Sequence, residues 1–175
     1  MDSHHEQVQR LRDAAASDPP RRYFAYSTIL DKTAFDEWRS QHGYQHFSPP
    51  AGEVAEALDV ELVFDFPSRF WGGRVAGLAD RPGASVHGRL FEIAGSDWPI
   101  VLHKEGGITG MAVERPVRVR DQSGNIVDAW AFATAPARRR EEGPISRPFV
   151  EALVRGARSA GLPEAWIATL EAHGR

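Results

Sequence analysis

The chain contains no cysteine. This absence excludes disulfide bonds, a thiolate nucleophile and zinc sites built on cysteine. The chain also has no apolar run approaching the roughly 18 residues that a membrane-spanning helix needs. The stretch from Met1 to Asp18 is polar and has no apolar segment of the kind found in secretory signals. We therefore expect a cytoplasmic protein that does not use a membrane.

A strong excess of one charge is absent as well, since the formal net charge is −3. The one basic run, residues 138–140, is followed at once by Glu141 and Glu142. Binding to nucleic-acid phosphates needs positive charge that is not compensated nearby. The sequence therefore gives no indication of a nucleic-acid partner, and the basic run is interpreted as a solvated loop.

The size and composition predict an ordinary globular domain. The chain has 175 residues, of which 42% are hydrophobic and 26% charged, and a chain of this kind can bury a core. Residues 1–20, which end at Pro19-Pro20, are interpreted as an N-terminal arm or short helix. Residues 21–175 are interpreted as one domain.

The hydrophobic pattern predicts strands in the middle of the chain with helices around them. Strands are expected at residues 23–26, 60–66, 74–79, 86–93, 112–120 and 126–134. Helices are expected from Thr33, as N-cap, to near Gly43, and at about 98–105, 148–159 and 163–173. The triplet Arg81-Pro82-Gly83 indicates a turn between two strands. The fold class is α+β, a small barrel or strongly curved sheet flanked by helices.

Glu105 is the most informative residue of the sequence. Read as a helix, residues 98–105 place Trp98, Val101 and Leu102 on the same face as Glu105. A carboxylate on an apolar face is partly desolvated, which raises its pKa and makes it a better base near neutral pH. Spacing alone leaves open the alternative that the last turn frays and Glu105 is a solvated helix end.

Other motifs are weaker. His42 and His46 have the i, i+4 spacing of metal ligands, but Gly43 weakens the helix and no third ligand is near in sequence, so no metal site is predicted. His87 and His103 are interpreted as partnered polar residues and not as a catalytic pair. The pair Gly72-Gly73 either lets a ligand approach the backbone or marks a bend or bulge.

The order of several motifs carries more information than any one of them. These are Tyr23-Phe24-Ala25-Tyr26-Ser27-Thr28-Ile29-Leu30, then Trp71-Gly72-Gly73, then Val86-His87-Gly88-Arg89-Leu90-Phe91, then Glu105-Gly106-Gly107-Ile108-Thr109-Gly110-Met111. Near the C-terminus, a helix leads into Gly161-Leu162-Pro163. In this order the motifs resemble the γ-glutamylcyclotransferase family over about residues 22–173.

The resemblance implies a small mixed β-barrel with helices packed outside it. It also implies intramolecular aminolysis, in which the α-amine of a γ-glutamyl group attacks its own side-chain carbonyl. The products are 5-oxoproline and an amine or amino acid, and no cofactor or metal is required. The family's catalytic glutamate corresponds to Glu105, and its substrate-binding loop to Ser27-Thr28-Ile29-Leu30. Tyr26, Gly73 and Met111 complete the expected substrate-binding set.

The chain departs from the family pattern around this loop. The usual loop glycine is Ser27, the asparagine is replaced by Ile29, and the tyrosine that often follows the Gly-Met pair is Ala112. Serine tolerates unusual backbone angles less well than glycine, and isoleucine has no hydrogen-bonding group. Because Glu105 is retained while its surroundings differ, we expect an altered substrate more than an inactive site.

Three alternatives remain open at the level of sequence. The enzyme could act in a specialised pathway, removing a γ-glutamyl protecting group or cleaving another amide. A non-catalytic module could retain the pocket and bind a small molecule without turnover. A structural or interaction protein could use the exposed helices. The expected partner is a small γ-glutamyl or aminoacyl amide, and a homodimer is also left open.

Overall fold

A computed structural model describes residues 3–175 and shows a closed five-stranded barrel with helices packed against it. The order of strands around the barrel is β1-β3-β2-β4-β5, and the ring closes because β1 also pairs in parallel with β5. The strands are β1 (Arg21–Ala25), β2 (Glu53–Ser68), β3 (Gly73–Ile93), β4 (Ala112–Arg120) and β5 (Ile126–Thr134). The predicted α+β barrel is confirmed.

Within the described part of the chain, five α-helices pack against the barrel. They are α1 (Ser3–Ala14), α2 (Lys32–Gln41), α3 (Trp98–Glu105), α4 (Arg147–Ser159) and α5 (Glu164–Ala172). Val8 of α1 is buried in the core between barrel and helices. The first two residues of the predicted arm, Met1 and Asp2, lie outside the described residues, and the division into an arm and one domain stays a prediction.

The middle of the chain differs from the sequence prediction, because β2 and β3 form one long hairpin where shorter strands were expected. The turn predicted at Arg81-Pro82-Gly83 is wrong: these residues lie within β3 and bulge out opposite Asp59. Asp59 has a positive φ of 58°, and its carboxylate accepts a hydrogen bond of 2.9 Å from the Gly83 N–H. Proline and glycine suit an irregular bulge as well as a chain reversal.

The start of α2 also differs from the prediction. The helix begins at Lys32, so Thr33 is not its N-cap. The preceding residue, Asp31, does not cap the helix with its side chain and instead accepts a bond of 3.2 Å from Arg155 of α4. The N-cap predicted at Thr33 therefore misplaced this helix start by two residues.

Strand β1 is buried on both faces because it separates two hydrophobic clusters. Phe24 and Tyr26 point into the barrel, where alanines of β2 and β5 leave room for their rings. Tyr23 and Ala25 belong to the cluster between the barrel and the helices. Because successive side chains of a strand point to opposite faces, Tyr23 lies outside the barrel wall and Tyr26 inside it.

Gly88 allows β3 to approach β1 closely. A Cβ atom at this position would overlap the carbonyl oxygen of Ala25 and lie 2.8 Å from the Phe24 ring. The absence of a side chain here brings the end of β1, and the turn that follows it, into the barrel wall. Within residues 3–175, no helix is both long enough and apolar enough to cross a membrane.

We expect the substitution Gly88→Ala to destabilise the fold. The added methyl group must displace β1 or its own strand, and overpacking of this kind costs about 1–3 kcal/mol. Urea denaturation followed by circular dichroism measures the free energy of unfolding. Ser85→Ala on the same strand is the control and should change it by less than about 0.5 kcal/mol. Equal stability of the two variants would contradict the close-approach argument.

Candidate active site

Glu105 is the last residue of α3, and the sequence around it explains why the helix ends there. Pro99 lies in the first turn, where its missing N–H is not needed. Gly106 takes the left-handed conformation at φ 87°, which suits glycine, and the Gly107 N–H donates to the carbonyl of Leu102 at 2.8 Å. The chain then turns back into β4. The two glycines thus fix Glu105 at a defined helix end.

The apolar face predicted for this helix is present. Trp98 and Val101 are buried, Leu102 is partly buried against the core, and Glu105 itself is half-buried. The alternative of a frayed, solvated end does not hold, because Glu105 is within the helix and its side chain has a specific partner. That partner, Tyr23, donates its hydroxyl hydrogen to Oε1 of Glu105 at 2.6 Å.

Opposing effects set the proton affinity of Glu105. Burial raises the pKa of its carboxyl group, whereas the neighbouring Lys104 and the bond from Tyr23 lower it, and the net shift is upward. Burial also raises the pKa of Tyr23, and the adjacent Glu105 carboxylate raises it further. The pKa of Lys104 is lowered by burial, an effect that Glu105 opposes. Tyr23 therefore remains a proton donor to Glu105 at neutral pH.

A cavity of about 240 Å³ opens beside Glu105. Its polar lining comes from α3, from the turn after β1 and from the end of β5, and the rest of the wall is largely apolar. The lining residues are Tyr26, Ser27, Thr28, Phe66, Ser68, Trp71, Val75, Ala76, Lys104, Glu105, Gly106, Met111, Ala112, Phe132, Ala133, Thr134 and Phe149. We call this space the Glu105 cavity.

The predicted substrate loop is divided between two cavities. Ser27 and Thr28 line the Glu105 cavity, whereas Ile29 and Leu30 line a neighbouring cavity of about 460 Å³. Residues 28–30 form a 3₁₀ turn, in which the Leu30 N–H donates to the Ser27 carbonyl at 3.1 Å. Ser27 has φ −117°, an angle that any residue adopts, so serine replaces the family's glycine here without backbone strain.

The other predicted site residues also divide. Tyr26 and Met111 line the Glu105 cavity, and the hydroxyl of Tyr26 donates to the Phe132 carbonyl at 2.5 Å. Gly73 does not line it. A Cβ atom at Gly73 would lie 2.8 Å from the backbone nitrogen of Ser146, so the absence of a side chain here lets another chain segment pack closely.

Three features of the site were missed by sequence reasoning. Tyr23 was not predicted at the site, because nothing in the sequence of an aromatic strand shows which hydroxyl group meets a partner. Lys104 lines the cavity although only its neighbour was predicted to do so. Thr134, also in the lining, donates to the buried carboxylate of Asp65 at 2.6 Å, and Asp65 pairs with Arg139 at 3.0 Å. The alternation of residues 60–66 groups Asp65 with Glu61 on the polar face, and the register shift between Phe64 and Phe66 that accompanies its burial has no signal in the sequence.

The histidines have structural partners. Nδ1 of His42 lies 2.9 Å from the Trp38 carbonyl oxygen, and the two rings stack. Nε2 of His46 lies 3.1 Å from Arg12, and Nδ1 of His103 lies 2.9 Å from the Tyr44 hydroxyl. Across the described residues, no group of three or more His, Asp or Glu side chains is arranged to hold a metal ion.

The site combines a carboxyl group of raised pKa, a hydroxyl group that donates to it, one ammonium group and a small space lined by both polar and apolar groups. Such a carboxyl group can take a proton from a bound amine and return it to a departing nitrogen. Perturbed ionisable groups in a cavity mark a candidate catalytic site.

We expect Tyr23→Phe to raise the pKa of Glu105. The bond from Tyr23 stabilises the carboxylate, and removing it leaves the effect of burial less opposed. A pH titration of the Glu105 side-chain carboxyl carbon by ¹³C NMR measures the change. Phe24→Tyr does not restore the lost donor, because residue 24 points into the barrel, and serves as a control in the Tyr23→Phe background. An unchanged or lower pKa would contradict the assigned role of Tyr23.

We also expect stability to depend on pH through Glu105. Its pKa is higher in the folded than in the unfolded state, so between the two values the folded state binds more protons and stability falls as pH rises. Glu105→Gln removes this dependence. The free energy of unfolding of the Glu105→Gln variant minus that of wild type should therefore increase between about pH 4 and pH 8 in urea titrations. A difference that stays constant or decreases would contradict the raised pKa.

Comparisons with known proteins agree with this architecture. The model of the AIG2-like family matches residues 85–170, an interval that includes the Glu105 helix. A comparison with curated proteins by sequence finds no match.

Solved structures resemble the chain over nearly all of its length. A gamma-glutamyl cyclotransferase is 25% identical, with a TM-score of 0.70 and coverage of 87% of both chains. An uncharacterized protein from Homo sapiens is 25% identical, with a TM-score of 0.71 and coverage of 89% of this chain and 88% of that one. YkqA from Bacillus subtilis shares the fold at 21% identity and a TM-score of 0.73, over 95% of this chain and 58% of its own. The chain thus has the γ-glutamylcyclotransferase-like fold, and its C-terminal half resembles the AIG2-like family.

Proposed function

We propose that the protein is an enzyme that catalyses intramolecular aminolysis of a γ-glutamyl or related aminoacyl amide, releasing 5-oxoproline and an amine. One observation carries the proposal. A half-buried carboxyl group of raised pKa, that of Glu105, shares a small cavity with the turn at Ser27 and Thr28. A solved gamma-glutamyl cyclotransferase with the same fold, 25% identical to this chain, supports the reaction type.

One carboxyl group can carry out both proton transfers that this reaction requires within the site. The α-ammonium group of the substrate loses a first proton to solvent and becomes an amine. As its nitrogen bonds to the side-chain carbonyl carbon, Glu105 takes a second proton. When the bond from that carbon to the leaving nitrogen breaks, Glu105 returns the proton to the leaving nitrogen. A positioned acid and base of this kind contributes about 10²–10⁴-fold to the rate.

Ring closure also needs the substrate to be folded and held. The aromatic walls of the cavity, among them Phe132 and Phe149, restrict the conformations of a flexible glutamyl chain. We assign the substrate's α-carboxylate to Lys104, the cation in the lining. The N–H groups and hydroxyls of Ser27 and Thr28 are the candidate donors to the oxyanion of the tetrahedral intermediate. The Leu30 N–H is excluded, because it is bonded within the turn.

A non-catalytic small-molecule binding protein is the second candidate. Ile29 supplies no polar group to the Glu105 cavity, and Ala112 stands in its lining where the family often has tyrosine. These differences reduce the donors available to an intermediate more than they reduce the space for a bound molecule. The same differences motivate a specialised substrate in the catalytic version.

Glu105→Gln tests the catalytic proposal. The wild-type protein is incubated with a panel of γ-glutamyl amides, and 5-oxoproline and the released amine are followed by mass spectrometry. We expect the variant to lose at least about 100-fold in rate, because the amide cannot accept or return the proton. Glu141→Gln, an exposed change outside the cavity, is the matched control. Circular dichroism verifies that both variants fold.

The other outcomes assign the alternatives. Full activity of Glu105→Gln removes Glu105 from the mechanism. Ligand-dependent thermal stabilisation of the wild type without product favours the binding protein. Turnover restricted to simple γ-glutamyl amino acids counts against a specialised substrate. A protein that neither binds nor converts any amide supports the structural or interaction role.

A further inference from the structure

The rim of the Glu105 cavity carries apolar side chains that the proposed chemistry does not use. Phe70, in the turn between β2 and β3, has 87% of its surface exposed. Met111, which also lines the cavity, is 44% exposed. Exposed residues of this size are expensive to leave in water, since burying a Phe or Met side chain is worth about 1.5–3 kcal/mol. Met111 is part of the lining and Phe70 adjoins Trp71, which also lines the cavity, so both are placed to contact a molecule that extends out of it.

Trp71 connects Phe70 to the cavity. The backbone carbonyl of Trp71 accepts a hydrogen bond from the Ser146 hydroxyl at 2.6 Å, and its backbone N–H donates to the Ser68 hydroxyl at 3.2 Å. Its ring meets Phe149 edge to face at 5.4 Å within the lining. The ring of Phe70 stands perpendicular to that of Trp71, with the ring centroids 5.3 Å apart, and is itself exposed. A row of aromatic rings thus runs from the cavity wall to the surface.

The cavity is too small to enclose a large amide. Its volume of about 240 Å³ lies below the roughly 300–1,000 Å³ of typical ligand pockets. With the glutamyl group beside Glu105, the leaving group of the amide extends through the mouth. There it would meet Trp71, Met111 and, beyond them, Phe70.

Charge limits the kind of leaving group. The charged residues in the cavity lining are Lys104 and Glu105. Lys104 is assigned to the α-carboxylate of the glutamyl group, and Glu105 acts on the reacting nitrogens. A leaving amino acid would bring a second carboxylate, for which the described lining offers no further cation, and Arg69 beside Phe70 is exposed, where water screens its charge. An uncharged leaving group needs none.

We propose that Phe70, Trp71 and Met111 form a binding surface for the leaving amine, and that this amine is uncharged and aromatic. We call this surface the aromatic rim. The inference rests on the proposed function, whose substrate class it narrows. Aromatic ligands match the rim because aromatic rings pack favourably edge to face or offset, at about 0.5–1.5 kcal/mol for each pair.

The reaction balances for this class as it does for other amides. The bond from the γ-carbonyl carbon to the aryl nitrogen breaks, and the bond from the α-nitrogen to that carbon forms. The aryl nitrogen receives the proton held by Glu105 and leaves as a neutral arylamine. One proton is released to solvent for each turnover.

The test compares γ-glutamylanilide with γ-glutamylmethylamide and γ-glutamylglycine. The measured quantity is the ratio of kcat/KM for the anilide to that for the methylamide. We expect wild type to prefer the anilide and Phe70→Ala to lower the ratio roughly tenfold, the equivalent of losing about 1.4 kcal/mol of contact. Phe70→Trp should retain the ratio. Ile126→Ala, which shortens an exposed apolar residue outside the cavity lining, is the matched control and should leave the ratio unchanged.

The outcomes separate this inference from the proposed function. If wild type converts all three amides but shows no preference for the anilide, or Phe70→Ala keeps the ratio, the aromatic rim is overturned and the cyclotransferase proposal stands. If no amide is converted, the proposed reaction is wrong. The aromatic rim is then tested by measuring, by calorimetry, how tightly each amide binds to the Glu105→Gln variant. Tighter binding of the anilide that is lost with Phe70→Ala supports it, and equal binding of the amides overturns it.

Discussion

The hydrogen bond from Tyr23 to Glu105 joins the first strand of the barrel to the end of α3, and the candidate site depends on it. Each partner is held by its own element. Gly88 brings β3 close against β1, and Gly106 ends α3 in a conformation suited to glycine. A tyrosine on the outer face of the barrel can therefore meet a carboxyl group at a helix end without either side chain being free to leave. The geometry of the acid group is thus a consequence of backbone packing.

The same hydrogen bond stabilises the charged form of Glu105 at a half-buried position. Burial alone favours the protonated form, whereas the Tyr23 hydroxyl and the Lys104 ammonium group favour the carboxylate. A group that must both accept and return a proton works best when neither form is strongly excluded. The surroundings of Glu105 thus moderate its pKa shift. Lys104 has a second use in the proposed reaction as a counter-charge for the substrate.

Sequence reasoning predicted those parts of the molecule whose signals are local. The helix ending at Glu105 follows from its apolar face, Pro99 and the glycines after Glu105, and the hairpin of β4 and β5 follows from the hydrophobic pattern of its two strands. The long β2–β3 hairpin was misread, since Pro82 and Gly83 signal a turn whether the chain reverses or only bulges. Tyr23 was missed because its partner lies 82 residues away. Gly73, Ile29 and Leu30 were expected at the site, but the contacts that direct them elsewhere, to Ser146 and to the neighbouring cavity, are tertiary.

The short turn after β1 separates the Glu105 cavity from the neighbouring cavity. Ser27 and Thr28 line the Glu105 cavity, and Ile29 and Leu30 line the neighbouring one. Neighbouring residues of this loop therefore line different cavities, and each cavity places its own requirements on the side chains that line it. The replacement of a polar residue by Ile29 alters the hydrocarbon wall of the adjacent space while the hydroxyl-bearing side remains intact. Differences counted along the loop thus overstate the differences that line the Glu105 cavity.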